Sequence, residues 1–134
     1  MKTYLLIDTA NTFFRARHVA HRGMDTWTKL GFATHVTMSA INKAWRIAKA
    51  DHVVFALEGH SWRKDFYKPY KANRKVARDA LTEEQQEEDK LFWETYYELT
   101  TFLKEKSNCS VLRCDIAEAD DIIARWIYMH PEDQ

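Results

Sequence analysis

Three short apolar runs in this chain lead into acidic residues. Tyr4-Leu5-Leu6-Ile7 runs into Asp8, and Val53-Val54-Phe55-Ala56-Leu57 runs into Glu58. Ser110-Val111-Leu112-Arg113-Cys114 is followed closely by Glu118-Ala119-Asp120-Asp121. Short Leu/Ile/Val-rich runs without alternation are typical of strands covered on both faces, as in a parallel sheet. Helix-like segments separate them, and strands alternating with helices imply right-handed crossovers and a parallel α/β sheet. In such a sheet the strand C-termini share one edge, where ligands bind. Acids gathered there repel one another unless a cation lies between them. Oxygen-rich ligands favour a hard cation, so Mg²⁺ or Mn²⁺ is expected.

The strands are expected at 3–8, 52–57 and 110–114. A short helix fits Asn11 to Val19. An amphipathic helix fits Ala33 to Ala48, with Val36, Ala40, Ile41, Ala44, Trp45 and Ala48 spaced for one face. From Gly59 to Ala80 the pattern weakens into a polar, basic and aromatic stretch, with Pro69 opening a helix at Tyr70. Thr82 and Gln85 form a capping box for a long helix reaching Lys104, with Phe92, Tyr96, Leu99 and Leu103 on one face. The last helix covers 117–129 and turns Ile122, Ile123, Trp126 and Ile127 to the core. Trp45 and Trp126 are expected in the core, and core packing is preferred over base stacking for Trp62.

The 134 residues fit one domain. With only three glycines and two prolines, disorder is not expected. No run approaches the roughly 18 apolar residues of a membrane span, and the start lacks a secretory pattern, which predicts a cytoplasmic protein without membrane partners. Cys109 and Cys114 read as free thiols, and His18, His21, His35, His52, His60 and His130 show no metal-ligand pairing.

The net charge is zero, yet the charge is segregated. Arg63, Lys64, Lys68, Lys71, Arg74, Lys75 and Arg78 face only Asp65 as a nearby acid, and an acidic run follows from Glu83 to Asp89. A solvated helix face is one reading of such a run. Aromatic residues such as Tyr70 among the cations favour nucleic acid, because rings stack on bases while Lys and Arg hold phosphates. Lys71 and Arg74, at i and i+3, can address one phosphate together.

The acids also have a plainer reading. Asp115 with Glu118 could form a capping box, and Asp8 or Thr9 could simply cap the next helix. Three acids in four residues exceed what capping requires, since like charges at that density oppose folding.

In order and spacing, Leu6-Ile7-Asp8-Thr9-Ala10-Asn11, Tyr70-Lys71-Ala72-Asn73-Arg74 and Glu118-Ala119-Asp120-Asp121 together resemble the N-terminal half of the structure-specific 5′-nucleases, the 5′→3′ exonucleases and flap endonucleases of bacteria and bacteriophages. The resemblance implies a three-layer PIN-like, Rossmann-like α/β domain with a parallel central sheet and helices on both faces. A helical arch would be inserted between strands 2 and 3. It implies metal-dependent hydrolysis of phosphodiester bonds near 5′ ends of branched DNA or RNA–DNA, in replication and repair. Asp8, Glu118, Asp120 and Asp121 would help bind two divalent ions in a complete enzyme, and Glu58 is the nearest acid to the aspartate usual after the second strand. Lys71 would reach the scissile phosphate, assisted by Arg74, and Arg63 would contact the substrate backbone. The nucleic-acid surface would comprise Arg63, Lys64, Lys68, Tyr70, Lys71, Arg74, Lys75 and Arg78. The chain is expected to stop before a fourth strand with paired aspartates and a helix-hairpin-helix. Several expectations follow: a fragment of a nuclease, one part of a split nuclease completed by a second chain, or a non-catalytic single-strand-binding subunit or truncated homologue. A PIN-type ribonuclease would leave the arch-like segment unexplained.

Overall fold

The protein is described from a computed structural model covering residues 1–19 and 25–134; His21 lies outside the described residues. Three strands, β1 (Tyr4–Asp8), β2 (His52–Ala56) and β3 (Ser110–Leu112), form a parallel sheet in the order β1-β2-β3. Six helices accompany them: α1 (Thr9–Arg17), α2 (Thr26–Ala48), α3 (Arg63–Phe66), α4 (Ala72–Asp79), α5 (Glu83–Lys106) and α6 (Ala119–Met129). The register pairs Asp8 with Ala56 and Ala56 with Leu112, so the acid-bearing C-termini share one edge as expected.

Strand periodicity explains the layers, because successive side chains point to opposite faces. Leu5, Ile7, Val53, Phe55 and Val111 pack with Ile41 of α2 and Leu99 and Leu103 of α5. Tyr4 points the other way, meeting the Trp126 ring of α6 edge-on at 5.1 Å, and His52 pairs with Ser110 Oγ at 2.8 Å. A second cluster joins Ala10, Phe13 and Ala16 of α1, Leu30 and Ala33 of α2, and Phe92 and Tyr96 of α5.

Several sequence expectations need correction. The second helix begins at Thr26 rather than Ala33, because Asp25 accepts hydrogen bonds from the Thr28 N–H and hydroxyl, both at 2.9 Å. Its buried stripe is Leu30, Ala33, Thr37 and Ile41, while Ala40, Trp45 and Ala48 turn outward. Trp45 keeps one link inward, donating from Nε1 to Ala50 O at 2.9 Å. Trp62 is exposed and lies edge-on to Phe66 at 6.0 Å. Ile127 is also exposed, since α6 meets the sheet through Trp126 and the residue after it is rotated about 100° away. The Thr82–Gln85 capping box is present.

The acidic start of α5 is a fastening. Asp89 pairs with Arg17 of α1 at 2.7 Å and Glu88 with Lys29 of α2 at 3.3 Å. Arg17 lies over the Phe92 ring at 4.2 Å. This holds the end of the long β2–β3 connection against the body, while α3 and α4 bury no residue of their own. The helix expected from Tyr70 starts at Ala72. Lys71 precedes it in the left-handed region with φ 54°, a conformation that strains a residue with a side chain. Backbone hydrogen bonds also run along the outer side of β1, from Tyr4 N–H to Gln134 O at 2.7 Å and from Gln134 N–H to Lys2 O at 2.8 Å. Among the described residues, no helix is long and apolar enough to cross a membrane.

Candidate nucleic-acid and metal site

The loop after β2 is laced to the loop between β3 and α6. Leu57 N–H donates to Leu112 O at 2.8 Å, Gly59 N–H to Ala117 O at 2.9 Å, His60 N–H to Asp115 O at 2.9 Å and Trp62 N–H to Ile116 O at 3.0 Å. These bonds bring Glu58 beside Glu118, and Glu58 Oε2 accepts from the Ala119 N–H at 3.3 Å, at the start of α6. Asp8 caps α1 by accepting from Asn11 N–H at 3.3 Å, so its capping role is real. The expected Asp115–Glu118 cap does not form. Glu118 itself occupies the N-cap position of α6, and its N–H donates to Asp121 Oδ2 at 3.0 Å.

Asp8, Glu58, Glu118 and Asp120 line one cleft of about 850 Å³. Lys64, Lys68, Tyr70, Lys71, Arg74, Lys75 and Arg78 line it as well, together with Phe14, His18 and Trp93. An acidic floor thus faces a cationic wall built from the β2–β3 connection. Two site residues expected from the sequence, Asp121 and Arg63, are not among the lining residues. They bond to each other, with Arg63 Nη2 to Asp121 Oδ1 at 2.8 Å and Nη1 to Oδ2 at 3.0 Å. Arg63 Nη1 also donates to Glu118 Oε2 at 2.6 Å, and its guanidinium lies 4.7 Å over the Trp62 ring. In this arrangement Arg63 is a counter-ion to the acids.

Glu118 is the most enclosed acid, 5% exposed. A buried carboxylate is tolerated only when paired and hydrogen-bonded, and here three donors converge on it. Beyond Arg63, the Lys71 ammonium bonds Oε1, and the Tyr70 hydroxyl donates to both oxygens at 3.0 and 3.2 Å. Burial pushes Glu118 upward, but the bonds from Lys71 and Tyr70 outweigh it and hold the carboxyl below its ordinary value. Lys71 mirrors this: burial works against its charge, and the bonds to Glu118 and Tyr70 raise it overall. The Arg63 bond lowers Asp121. Glu58 moves the other way, raised first by burial and further by Asp8 and Glu118.

That raised Glu58 tests the fit to a divalent cation. Its neighbours Asp8 and Glu118 are close enough to oppose its charge, and a carboxylate-only oxygen set suits a hard ion. As folded, the cationic side chains occupy Glu118 and Asp121. Among the described residues no three His, Cys, Asp or Glu side chains converge tightly enough to cage an ion as they stand. The Asp120 side chain is exposed and makes no hydrogen bond or ion pair among the described residues.

Residues 3–134 match the family described as 5′-3′ exonuclease, N-terminal resolvase-like domain. The chain belongs to this family. Its fold is similar to that of the bacteriophage T5 D15 protein co-crystallised with metal ions, with TM-score 0.73 and 20% identity over 96% of this chain and 44% of that one. It is equally similar to the T5 flap endonuclease in a pseudo-enzyme-product complex with DNA and metal ions, with TM-score 0.73, 21% identity, and 96% and 44% coverage. For the T5 5′-exonuclease with zinc bound, the TM-score is 0.73 and the identity 21%, over 96% of this chain and 45% of that one. The chain therefore spans less than half the length of these phage proteins. No curated protein sequence matches it. At this identity the phage structures establish the shared three-layer PIN-like fold.

What the sequence missed is chiefly Gly59. A Cβ there would sit 1.9 Å from Cys114 O and 2.8 Å from Ala117 O. The only signal was a glycine just after an acid-ended strand, which marks a close backbone approach.

Proposed function

We propose that the chain is the catalytic half of a divalent-metal-dependent 5′ nuclease, hydrolysing phosphodiester bonds near 5′ ends of branched DNA or RNA–DNA. The reading rests on one observation: a single cleft whose floor is Asp8, Glu58, Glu118 and Asp120 and whose wall carries Lys64, Lys68, Lys71, Arg74, Lys75 and Arg78. Phosphates require the wall, and a phosphodiester next to carboxylates requires intervening positive charge. Asp8, Glu58 and Asp120 would hold Mg²⁺ or Mn²⁺, joined by Glu118 once Lys71 leaves it. Such ions lower the pKa of bound water and stabilise charge on the leaving oxygen. Lys71 and Arg74 would place positive charge on the phosphate where negative charge develops. Arg63 would keep Asp121 and Glu118 oriented from behind, in place of the backbone contact expected from the sequence.

A second reading is favoured by one specific observation, the occupation of Glu118 by Lys71, Tyr70 and Arg63. In it the chain binds single strands without cleaving them, or cleaves only with a second chain. The hydrogen bonds between Gln134 and the outer side of β1 favour an edge that accepts a further extended segment, as a second chain could supply. The deciding experiment assays cleavage of a 5′-flap duplex in Mg²⁺ by the chain alone and mixed with a candidate C-terminal half. Asp120→Asn is expected to reduce cleavage by at least about 100-fold while leaving DNA binding in EDTA intact. Undiminished cleavage by Asp120→Asn would overturn the metal-site proposal, and binding without cleavage in every mixture would establish the binding subunit.

A further inference from the structure

Tyr96 of α5 belongs to no motif and is, in the sequence, only one position on an apolar helix face. Its ring is 2% exposed and packs against Phe13 at 5.9 Å, Phe14 at 6.2 Å and Trp93 at 5.5 Å. The same cluster contains Ala10 and is covered by Leu57, two residues beyond Asp8 and one before Glu58 respectively. The ring is therefore wedged directly behind the acidic edge. Its hydroxyl is buried and has no hydrogen-bond partner among the described residues. An unpaired buried hydroxyl is destabilising, and phenylalanine would fill the same space without that cost. A hydroxyl kept in such a place calls for a partner.

The surroundings point to one. Leu57, which packs against the cluster holding the ring, is followed directly by Glu58, and Ala10 of the same cluster lies two residues past Asp8, so these acids border the phenol's surroundings. After burial itself, both act on the phenol, Glu58 the more strongly. Glu58 uses one oxygen to accept from Ala119 N–H, and its other oxygen accepts no hydrogen bond among the described residues. A phenol donates to an ionised carboxylate through a short, charge-assisted bond, about twice as strong as a neutral one. Glu58 also carries a longer arm than the aspartate its position resembles, so it has more freedom to be misplaced.

We propose that Tyr96 is a positioning residue for Glu58, its hydroxyl fixing the free carboxylate oxygen when a divalent cation occupies the cleft. The inference rests on the cation reading of the site. With a cation in the cleft the hydroxyl would hold the floor carboxylate from beneath, as outer partners orient ligands in metal sites generally.

The test is a Mn²⁺ titration of the full chain, reading free Mn²⁺ by electron paramagnetic resonance, alongside metal-free thermal midpoints. Wild type, Tyr96→Phe, Glu58→Gln and the double variant are compared. Tyr96→Phe is expected to weaken Mn²⁺ binding about tenfold, the low end for loss of an outer partner. It is expected to leave the metal-free midpoint unchanged or raised, and to cause no further loss in the Glu58→Gln background. Wild-type affinity in Tyr96→Phe would overturn the inference alone, as would an equal loss in the Glu58→Gln background or a lowered metal-free midpoint. Absence of Mn²⁺ uptake by wild type would overturn both the cation reading and this inference.

Discussion

Replacing Gly59 by alanine tests the geometry on which the acidic cleft depends. The new methyl carbon would fall 1.9 Å from Cys114 O, 2.8 Å from Ala117 O and 2.9 Å from Cys114 C. All three are backbone atoms, so no side chain can swing aside. Reaching an ordinary contact of about 3.4 Å requires a separation of roughly 1.5 Å between the β2 exit and the β3–α6 loop. The Gly59–Ala117 bond, at 2.9 Å, cannot survive that shift, and the neighbouring His60–Asp115 bond is strained with it. Two net hydrogen bonds at about 1 kcal/mol each, plus overpacking of about 1–3 kcal/mol, give a loss near 3–5 kcal/mol. With an unfolding entropy of about 2.1 cal/mol/K per residue, the thermal midpoint should fall by roughly 10–18 °C. The same shift parts Glu58 from Ala119 N–H, so Mn²⁺ affinity should drop more than stability alone explains. Differential scanning calorimetry in EDTA and a Mn²⁺ titration below the midpoint measure the two effects. A Gly59→Ala midpoint within about 2 °C of wild type would refute the reasoning, because it would mean the two loops are not packed backbone to backbone.

Two further outcomes concern pH and capping. Glu58 is raised above its ordinary 4.5. A carboxyl with a raised folded value contributes fully below the unfolded value and loses that contribution as pH rises through the folded one. Glu58→Gln should therefore unfold at a higher temperature than wild type at pH 7 in EDTA, with the gap closing toward and below pH 4.5; a less stable variant at pH 7 would contradict this. Thr82→Ala removes the acceptor of the Gln85 N–H and should cost about 1 kcal/mol by urea denaturation, with DNA affinity unchanged.

Glu118 and Asp121 respond to pH with the opposite sign. Their folded values are depressed, so their pairing contributes fully above the ordinary carboxylate range and is lost as pH falls through the lowered values. The same ion pairs thus stabilise the chain at neutral pH and would compete with a divalent ion at the proposed site. The competition is unequal. Asp121 holds a bidentate guanidinium, which is geometrically specific and permanently charged. Glu118 also holds a flexible ammonium from Lys71, itself placed by a strained left-handed residue at the base of α4. The ammonium is the easier of the two to displace, and its displacement frees a cation already positioned on the cleft wall.

This pairing also marks the boundary of what a sequence can reveal here. The three strands were legible because each is a local run of apolar residues, although β1 and β3 are mostly half-buried rather than enclosed, and the shared acidic edge followed from parallel topology alone. The capping box at Thr82 and Gln85 was legible for the same reason, being a contact across three positions. Arg63 meets Asp121 across 58 positions and Lys71 meets Glu118 across 47, and both cations come from a segment that buries nothing. No periodicity can report a contact whose cationic partner lies outside the core, so a basic run and an acidic cluster look like independent surfaces until the fold brings them together. The same logic explains the misplaced tryptophans. Trp45 and Trp62 are apolar by composition, but burial is decided by which helix face the sheet and its neighbours cover. For α2 that face is set by α1 and α5 through Leu30, Ala33, Thr37 and Ile41, which leaves Trp45 outside with only its indole N–H turned inward. Trp62 finds its role instead beneath the Arg63 guanidinium, stiffening the counter-ion that holds Glu118 and Asp121 in place.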